Sequence, residues 1–157
     1  MPPEKIDLLV IHGMTVPAGD LSIQGPIDLF LNNLDPAAHP SFAELSTFRV
    51  SAHLVIDRLG KYYQFVAFDR RAWHAGVSFW QGREKCNDFS IGIELVGTSE
   101  IPYTDHQYSS LAHVTRALMG AYPGITRESI VGHSDVAPGR KTDPWPTFDW
   151  AKYRGMI

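Results

Sequence analysis

The hydrophobic positions of the chain predict a domain of alternating strands and helices. A nearly continuous apolar run over residues 6–11, rich in β-branched side chains, is typical of a buried central strand. Two alternating segments separated by Gly60 indicate a hairpin, and two later apolar runs indicate further strands. These four strands are predicted at residues 53–57, 61–66, 90–96 and 130–131.

Helical periodicity is clearest after Thr104. Thr104 and Gln107 have the spacing of a capping box, apolar residues then recur every three or four positions, and Pro123-Gly124 ends the helix. A shorter helix is predicted over residues 26–34 and a closing helical turn over 148–153. We expect loops at residues 13–25, 35–48 and 69–89. The sum is an α/β (mixed α+β) fold, with a central mixed sheet of about five strands flanked by helices.

Composition restricts the class of protein further. A chain of 157 residues with 44% hydrophobic and 20% charged residues fits one globular domain, which we assign to residues 1–157. A net charge of −3 gives no basic surface for nucleic acid or anionic membrane. The single cysteine cannot form an internal disulfide, and the N-terminus has no signal-peptide pattern. We therefore expect a cytoplasmic monomer without nucleic-acid or membrane partners.

Candidate metal ligands lie at the two ends of the chain. His12 follows the first apolar run, and His133 and Asp143 lie ten positions apart near the C-terminus. Two imidazoles and one carboxylate form a set that zinc accepts, with a fourth tetrahedral position left open for water, as in catalytic sites. Pro138 and Gly139 interrupt the second segment, so a loop must carry its ligands. From spacing alone, coincidence is the favoured alternative.

Two further charged residues have both a functional and an ordinary interpretation. Glu94 shares one face of the strand over residues 90–96 with Ser90 and Gly92, opposite an apolar face. The pattern favours a solvated sheet face for Glu94; a general base is the alternative. Lys141 is either a surface charge beside Arg140 or a donor that stabilises an oxyanion.

Four segments then identify a family resemblance. They are Arg49-Val-Ser-Ala-His53, Arg71-Ala-Trp-His-Ala-Gly-Val-Ser78, Gly82-Arg-Glu-Lys-Cys-Asn-Asp-Phe-Ser-Ile-Gly-Ile-Glu-Leu95 and Lys141-Thr-Asp-Pro144. In this order they resemble the cytosolic AmpD-type amidases, which are N-acetylmuramoyl-L-alanine amidases of cell-wall recycling within the zinc amidase and peptidoglycan-recognition superfamily. The resemblance runs over residues 8–153.

The resemblance implies a zinc hydrolase with one Zn²⁺ per chain. His12, His133 and Asp143 match the zinc ligands of the family. Glu94 matches the residue that activates the zinc-bound water, and Lys141 matches the one that steadies the tetrahedral intermediate. The bond broken joins the lactyl group of (1,6-anhydro-)N-acetylmuramic acid to L-alanine of a stem peptide, so the partner is a small muropeptide.

Substrate contacts are expected at three positions. Arg49 and Lys85 are candidates to meet peptide carboxylates, with solvated surface charge as the alternative. Trp73 either walls the substrate pocket or packs in the core. His53 and His74 lie in family motifs, and we expect both to be structural because three ligands are already assigned.

The chain departs from the family pattern at three places. Gly13 stands where asparagine is usual, Lys85 where arginine is usual, and Trp145 where a small residue is expected. Lysine and arginine are not equivalent at a bidentate carboxylate site. These departures concern substrate preference more than the reaction.

Two other function classes remain as alternatives. A secreted or phage-type lytic amidase acting on intact cell wall would share the zinc site. A non-catalytic peptidoglycan-binding module would lack a ligand, whereas His12, His133, Asp143 and Glu94 are all present. Hydrolysis of soluble anhydro-muramyl peptides is the favoured function.

Overall fold

The computed structural model describes Met1 and residues 5–157. In this part of the chain the strands are β1 (Leu8–Met14), β2 (Leu54–Ile56), β3 (Tyr62–Gln64), β4 (Phe79–Trp80), β5 (Arg83–Glu84), β6 (Ser90–Val96) and β7 (Ile130–Gly132). Five of them form one sheet in the order β3-β2-β6-β1-β7, while β4 and β5 pair as a separate hairpin. Within the five-stranded sheet, neighbouring strands run parallel except for β3, which is antiparallel to β2 at the edge. The predicted mixed sheet is confirmed.

Five α-helices accompany these strands in the described residues. They are α1 (Gln24–Phe30), α2 (Phe42–Leu45), α3 (Asp105–Ala121), α4 (His133–Val136) and α5 (Trp150–Arg154). The capping box of α3 is confirmed, because the Thr104 hydroxyl accepts from the Gln107 amide at 3.1 Å and the Gln107 side chain accepts from the Thr104 amide at 3.1 Å. Across the described ranges, every helix is too short or too polar to span a bilayer.

The two faces of the sheet are covered differently. Alternate residues of β1 and β6, including Ile11 and Ile93, point toward α3 and α5 and form the larger core with Leu111 and Tyr153. Because strand side chains alternate, the remaining positions point to the other face. There the β1 residues pack against Ala75, Cys86, Phe89, Val131 and Val136, so the segment around residues 75–89 and α4 form the cover.

Several predicted boundaries were wrong. The first strand continues to Met14 because β6 offers it parallel partners up to Val96, so His12 lies within the strand. The helix predicted over 26–34 ends at Phe30, close to Asn32, whose φ of 59° is left-handed. The predicted loop over 35–48 contains α2. The predicted loop over 69–89 contains β4, β5 and a short 3-10 helix over Cys86–Asp88.

Candidate metal centre and active site

The parallel register brings the candidate residues to one edge of the sheet. His12 on β1 is the direct partner of Glu94 on β6. On the other side of β1, Ile11 pairs with Gly132, and His133 follows immediately as the first residue of α4. These positions lie at the carboxyl ends of parallel strands, where ligand sites of open α/β sheets form.

The third candidate ligand, Asp143, lies at the end of a loop that leads back to the sheet. After α4 the chain turns at Gly139, whose φ is +77°. The amide of Ser134 then donates to the carbonyl of Asp143 at 3.0 Å, which ties the end of the loop to its beginning. This closure places the Asp143 carboxylate beside His133. The loop carries the candidate ligand Asp143, whereas the candidate ligand His133 lies on a short helix.

The three donor atoms have the separations of a tetrahedral metal site. His12 Nδ1 lies 3.0 Å from His133 Nδ1 and 3.4 Å from Asp143 Oδ2, and His133 Nδ1 lies 3.2 Å from the same oxygen. Metal–ligand bonds of about 2.0–2.1 Å at tetrahedral angles place neighbouring ligands about 3.3 Å apart. The described residues can therefore hold a metal ion at this group with little rearrangement.

Burial and neighbouring charges set the protonation states of His12 and Asp143. Burial lowers the pKa of the His12 imidazole to about 4, although the neighbouring Asp143 partly opposes this shift. Burial also disfavours the charged form of Asp143, but the adjacent imidazoles of His12 and His133 outweigh it and hold the pKa of that carboxyl well below its usual range. A neutral His12 and an ionised Asp143 at neutral pH are the forms that bind a divalent cation.

Glu94 is buried beside the group, not solvated. The residue is 8% exposed, its Oε1 lies 3.9 Å from His12 Nδ1, and its Oε2 has no hydrogen-bond partner among the described residues. Burial and the charge of Asp143 raise the pKa of the carboxyl well above its usual range, while Lys141 opposes that shift. The pattern-based preference for a solvated face was wrong, because the segment around residues 75–89 covers that side of the sheet.

Lys141 lies close to the group. It is exposed, precedes Asp143 by two residues, and lies near enough for its charge to lower the pKa values of both Glu94 and His12. An exposed cation beside a buried carboxylate and a metal site can stabilise negative charge that develops on a substrate.

The comparison with known proteins decides the family. The family profile described as N-acetylmuramoyl-L-alanine amidase matches residues 2–146. The chain belongs to this family. The predicted resemblance to AmpD-type amidases and the prediction of an amidase enzyme are confirmed.

Individual relatives of this amidase cover nearly all of it. It is 57% identical to the 1,6-anhydro-N-acetylmuramyl-L-alanine amidase AmpD of Escherichia coli over 98% of this chain and 84% of the relative. It is 53% identical to AmpD of Haemophilus influenzae over 99% of this chain and 84% of the relative. The crystal structure of a selenomethionine AmpD derivative superposes with a TM-score of 0.95 at 52% identity, covering 99% of this chain and 86% of that one.

The candidate substrate residues of the amidase surround Trp73. Its side chain is 58% exposed, so the alternative of a core tryptophan was wrong. On one side Trp73 lines a cavity of about 620 Å³ together with Lys85, and on the other a cavity of about 450 Å³ together with Arg49. Arg71, which was not selected from the sequence, stacks on Trp73 with its guanidinium carbon 3.7 Å from the ring centroid. The larger cavity adjoins α4 at Val136.

Two histidines expected to be structural differ in their relation to the metal group. His53 is buried and joins two backbone groups, accepting from the Gly92 amide at 3.0 Å and donating to the Arg70 carbonyl at 2.9 Å. His74 instead contacts a candidate ligand, since its Nδ1 lies 2.9 Å from His12 Nε2. Its motif was visible in the sequence, but its contact with β1 was not.

Proposed function

We propose that this chain is a zinc-dependent amidase that hydrolyses the bond between the lactyl group of 1,6-anhydro-N-acetylmuramic acid and L-alanine of the stem peptide. One observation carries the proposal. The ligand atoms of His12, His133 and Asp143 lie 3.0–3.4 Å apart, and Glu94 Oε1 lies 3.9 Å from His12 Nδ1, while its buried Oε2 has no hydrogen-bond partner among the described residues. The set combines a hydrolytic metal site with a base.

The residues of the site have separable roles in this reaction. Zinc, when bound by His12, His133 and Asp143, supplies Lewis acidity and lowers the pKa of water from 15.7 towards about 7. Glu94 accepts a proton from the attacking water, whose oxygen bonds to the lactyl carbonyl carbon. Glu94 then delivers the proton to the alanine nitrogen as the C–N bond breaks. The products are a muramyl carboxylate and a peptide with a free amino terminus.

Lys141 stabilises the negative charge that develops on the carbonyl oxygen. Its exposure near the group supports this role, as does the effect of its charge on the pKa of Glu94. A fixed donor contributes most when it faces the charge of the transition state more closely than that of the ground state. The contribution should therefore appear in kcat.

The substrate proposed is a soluble muropeptide that lies across Trp73. The AmpD relatives are named for 1,6-anhydro-N-acetylmuramyl-L-alanine, and the related amidase AmiD of Escherichia coli is described in complex with anhydro-N-acetylmuramic acid-L-Ala-D-gamma-Glu-L-Lys. In this chain Arg49 and Lys85 line the two cavities that share Trp73, and each offers a cation to a peptide carboxylate. The cellular setting proposed is peptidoglycan recycling in the cytoplasm.

The direct test is hydrolysis by the purified full chain. Loaded with one equivalent of zinc and mixed with anhydro-muramyl tripeptide, it should release a tripeptide with a free L-alanine amino group, detected by mass spectrometry. Glu94→Gln prepared in the same way is the matched control, because it preserves size while removing the base. Absence of product from folded, zinc-loaded protein would contradict the proposal.

A further inference from the structure

A chain of hydrogen bonds leads away from the candidate ligand His12. His12 Nε2 lies 2.9 Å from His74 Nδ1, on the side of the imidazole opposite to the metal group. His74 Nε2 lies 3.2 Å from the hydroxyl of Ser90. That hydroxyl donates to the carbonyl of Cys86 at 2.6 Å. The chain therefore joins β1 to β6 and to the short helix that begins at Cys86.

The last acceptor of the chain determines the direction of every bond. A carbonyl can only accept, so the Ser90 hydroxyl must donate its hydrogen to Cys86. Its oxygen then accepts from His74 Nε2–H. A neutral imidazole protonated at Nε2 has a bare Nδ1, and His74 Nδ1 therefore accepts from His12 Nε2–H. The His12 Nδ1 that faces the other two ligands is left with a free lone pair.

Ala75, the residue after His74, fixes the tautomer of the second candidate ligand, His133. His133 Nε2 lies 3.2 Å from the carbonyl of Ala75, which can only accept. A hydrogen on His133 Nε2 satisfies this carbonyl and leaves Nδ1 facing the metal group as a lone pair. Two consecutive residues, His74 and Ala75, thus orient both ligand imidazoles.

This pair of residues is itself held in place by Asn87. The side-chain oxygen of Asn87 accepts from the backbone amides of His74 at 3.1 Å and Ala75 at 2.8 Å. Asn87 is 4% exposed, so these bonds are not shared with bulk water. Packing adds a second restraint, because a Cβ at Gly92 would lie 2.4 Å from Cγ of His74. The imidazole rests against the backbone of β6.

We propose that His74 is a positioning residue, which fixes His12 in the Nε2–H tautomer and so presents Nδ1 to the metal. The inference rests on the proposed metal site and extends it from three ligands to the groups that orient them. It also assigns a function to two motifs. Trp-His-Ala-Gly contains His74 and Ala75, which bond to His12 and His133, and Cys-Asn-Asp-Phe contains Asn87, which holds the backbone of His74 and Ala75. Outer contacts of ligand histidines typically change metal affinity 10- to 100-fold.

Two variants of His74 separate the hydrogen bond from the packing. Asparagine can place an acceptor oxygen where Nδ1 stands, whereas leucine has a similar volume and no acceptor. In the metal-free full chain, zinc affinity is measured by competition with a chelator of known affinity. We expect His74→Leu to bind zinc roughly 10- to 100-fold more weakly than wild type, and His74→Asn to recover most of that loss.

A spectroscopic measurement tests the tautomer without relying on affinity. In ¹⁵N-imidazole spectra of metal-free protein, His12 should show hydrogen on Nε2 in the wild type and in His74→Asn. In His74→Leu the Nδ1–H form should become populated. Ser90→Ala is the second variant if His74→Leu fails to fold. Without the Ser90 oxygen, His74 loses the acceptor that keeps its hydrogen on Nε2, and we expect weaker zinc binding.

The possible outcomes separate a failure of the metal site from a failure of the positioning role of His74. If the wild type binds no zinc, the metal site itself is wrong. If the wild type binds zinc tightly and folded His74→Leu or Ser90→Ala matches it in affinity and His12 tautomer, the positioning role is overturned. Weaker binding with asparagine rescue supports it.

Discussion

The indole ring of Trp145 occupies space that a side chain at position 13 would need. A Cβ built on Gly13 would lie 2.6 Å from Cζ3 of Trp145 and 2.1 Å from the hydroxyl oxygen of Tyr103. Trp145 reaches this place with a left-handed backbone, at a φ of 64°. The glycine after the first ligand and the tryptophan after Asp143-Pro144, both departures from the family pattern, are therefore coupled to each other.

This coupling predicts a non-additive pair of substitutions. Gly13→Asn in the wild type should lower the free energy of unfolding by about 1–3 kcal/mol, the usual cost of forcing atoms into a filled space. In a Trp145→Gly background the same substitution should cost less, with a coupling energy of at least about 0.5 kcal/mol. Urea unfolding of the four proteins measures this cycle.

Trp145→Gly should remove only part of the cost of Gly13→Asn, because Tyr103 remains. Its hydroxyl donates to the carbonyl of Pro144 at 3.2 Å and stays close to the new side chain. Gly120→Asn serves as a control, since a Cβ at Gly120 meets nothing within 4 Å. Equal costs of Gly13→Asn in both backgrounds would show that Trp145 does not restrict position 13.

The metal group predicts one zinc ion per chain and its loss on ligand substitution. Elemental analysis should find about one zinc per wild-type chain and much less in His12→Ala and Asp143→Ala, because only two ligands remain in each. His39→Ala is the control, since His39 is exposed and bonds only to Ser41 among the described residues. Full zinc retention in both variants would show that His12 and Asp143 are not zinc ligands.

Glu94 should affect turnover without affecting metal content. Glu94→Gln removes the proton acceptor but keeps the shape of a side chain that makes no hydrogen bond through Oε2 within the described structure. We expect zinc and fold to be retained and kcat on anhydro-muramyl tripeptide to fall at least about 100-fold. Near-wild-type kcat in this variant would show that another group takes the proton.

Lys141 should act on kcat more than on KM. Lys141→Ala removes a cation that faces developing charge, and we expect kcat to fall by about 100-fold, the lower range for such donors, since the lysine is exposed. Lys141→Arg should retain part of the rate. Lys152→Ala makes the same change in net charge on α5 and should leave kcat unchanged. A change confined to KM would assign Lys141 to substrate binding.

The elements that depend on local sequence could be predicted from it. The strand at 90–96, the hairpin and the capped helix α3 depend on periodicity and on short-range hydrogen bonds, and the structure has them. The ligand set was proposed from residue types and family motifs. In the structure, parallel register places His12 opposite Glu94 and, through the pairing of Ile11 with Gly132, beside His133.

The parts that depend on long-range packing were not predictable. Nothing in the pattern of β6 indicates that residues 75–89 cover the face carrying Glu94. The sequence pattern therefore favoured a solvated position for Glu94. The same covering segment brings His74 to His12, a contact between residues 62 positions apart. Periodicity reports which side chains share a face, but not which distant segment covers it.

The preference for a soluble muropeptide is tested by offering zinc-loaded protein anhydro-muramyl tripeptide and the matching intact cell wall side by side. Arg49 and Lys85 flank Trp73 at cavities suited to a small charged peptide, and the net charge of −3 does not favour a polyanionic polymer. We predict kcat/KM at least about tenfold higher on the soluble fragment, a difference of about 1.4 kcal/mol in barrier, with both activities lost in Glu94→Gln. Equal kcat/KM on fragment and wall would contradict the account and indicate a lytic amidase.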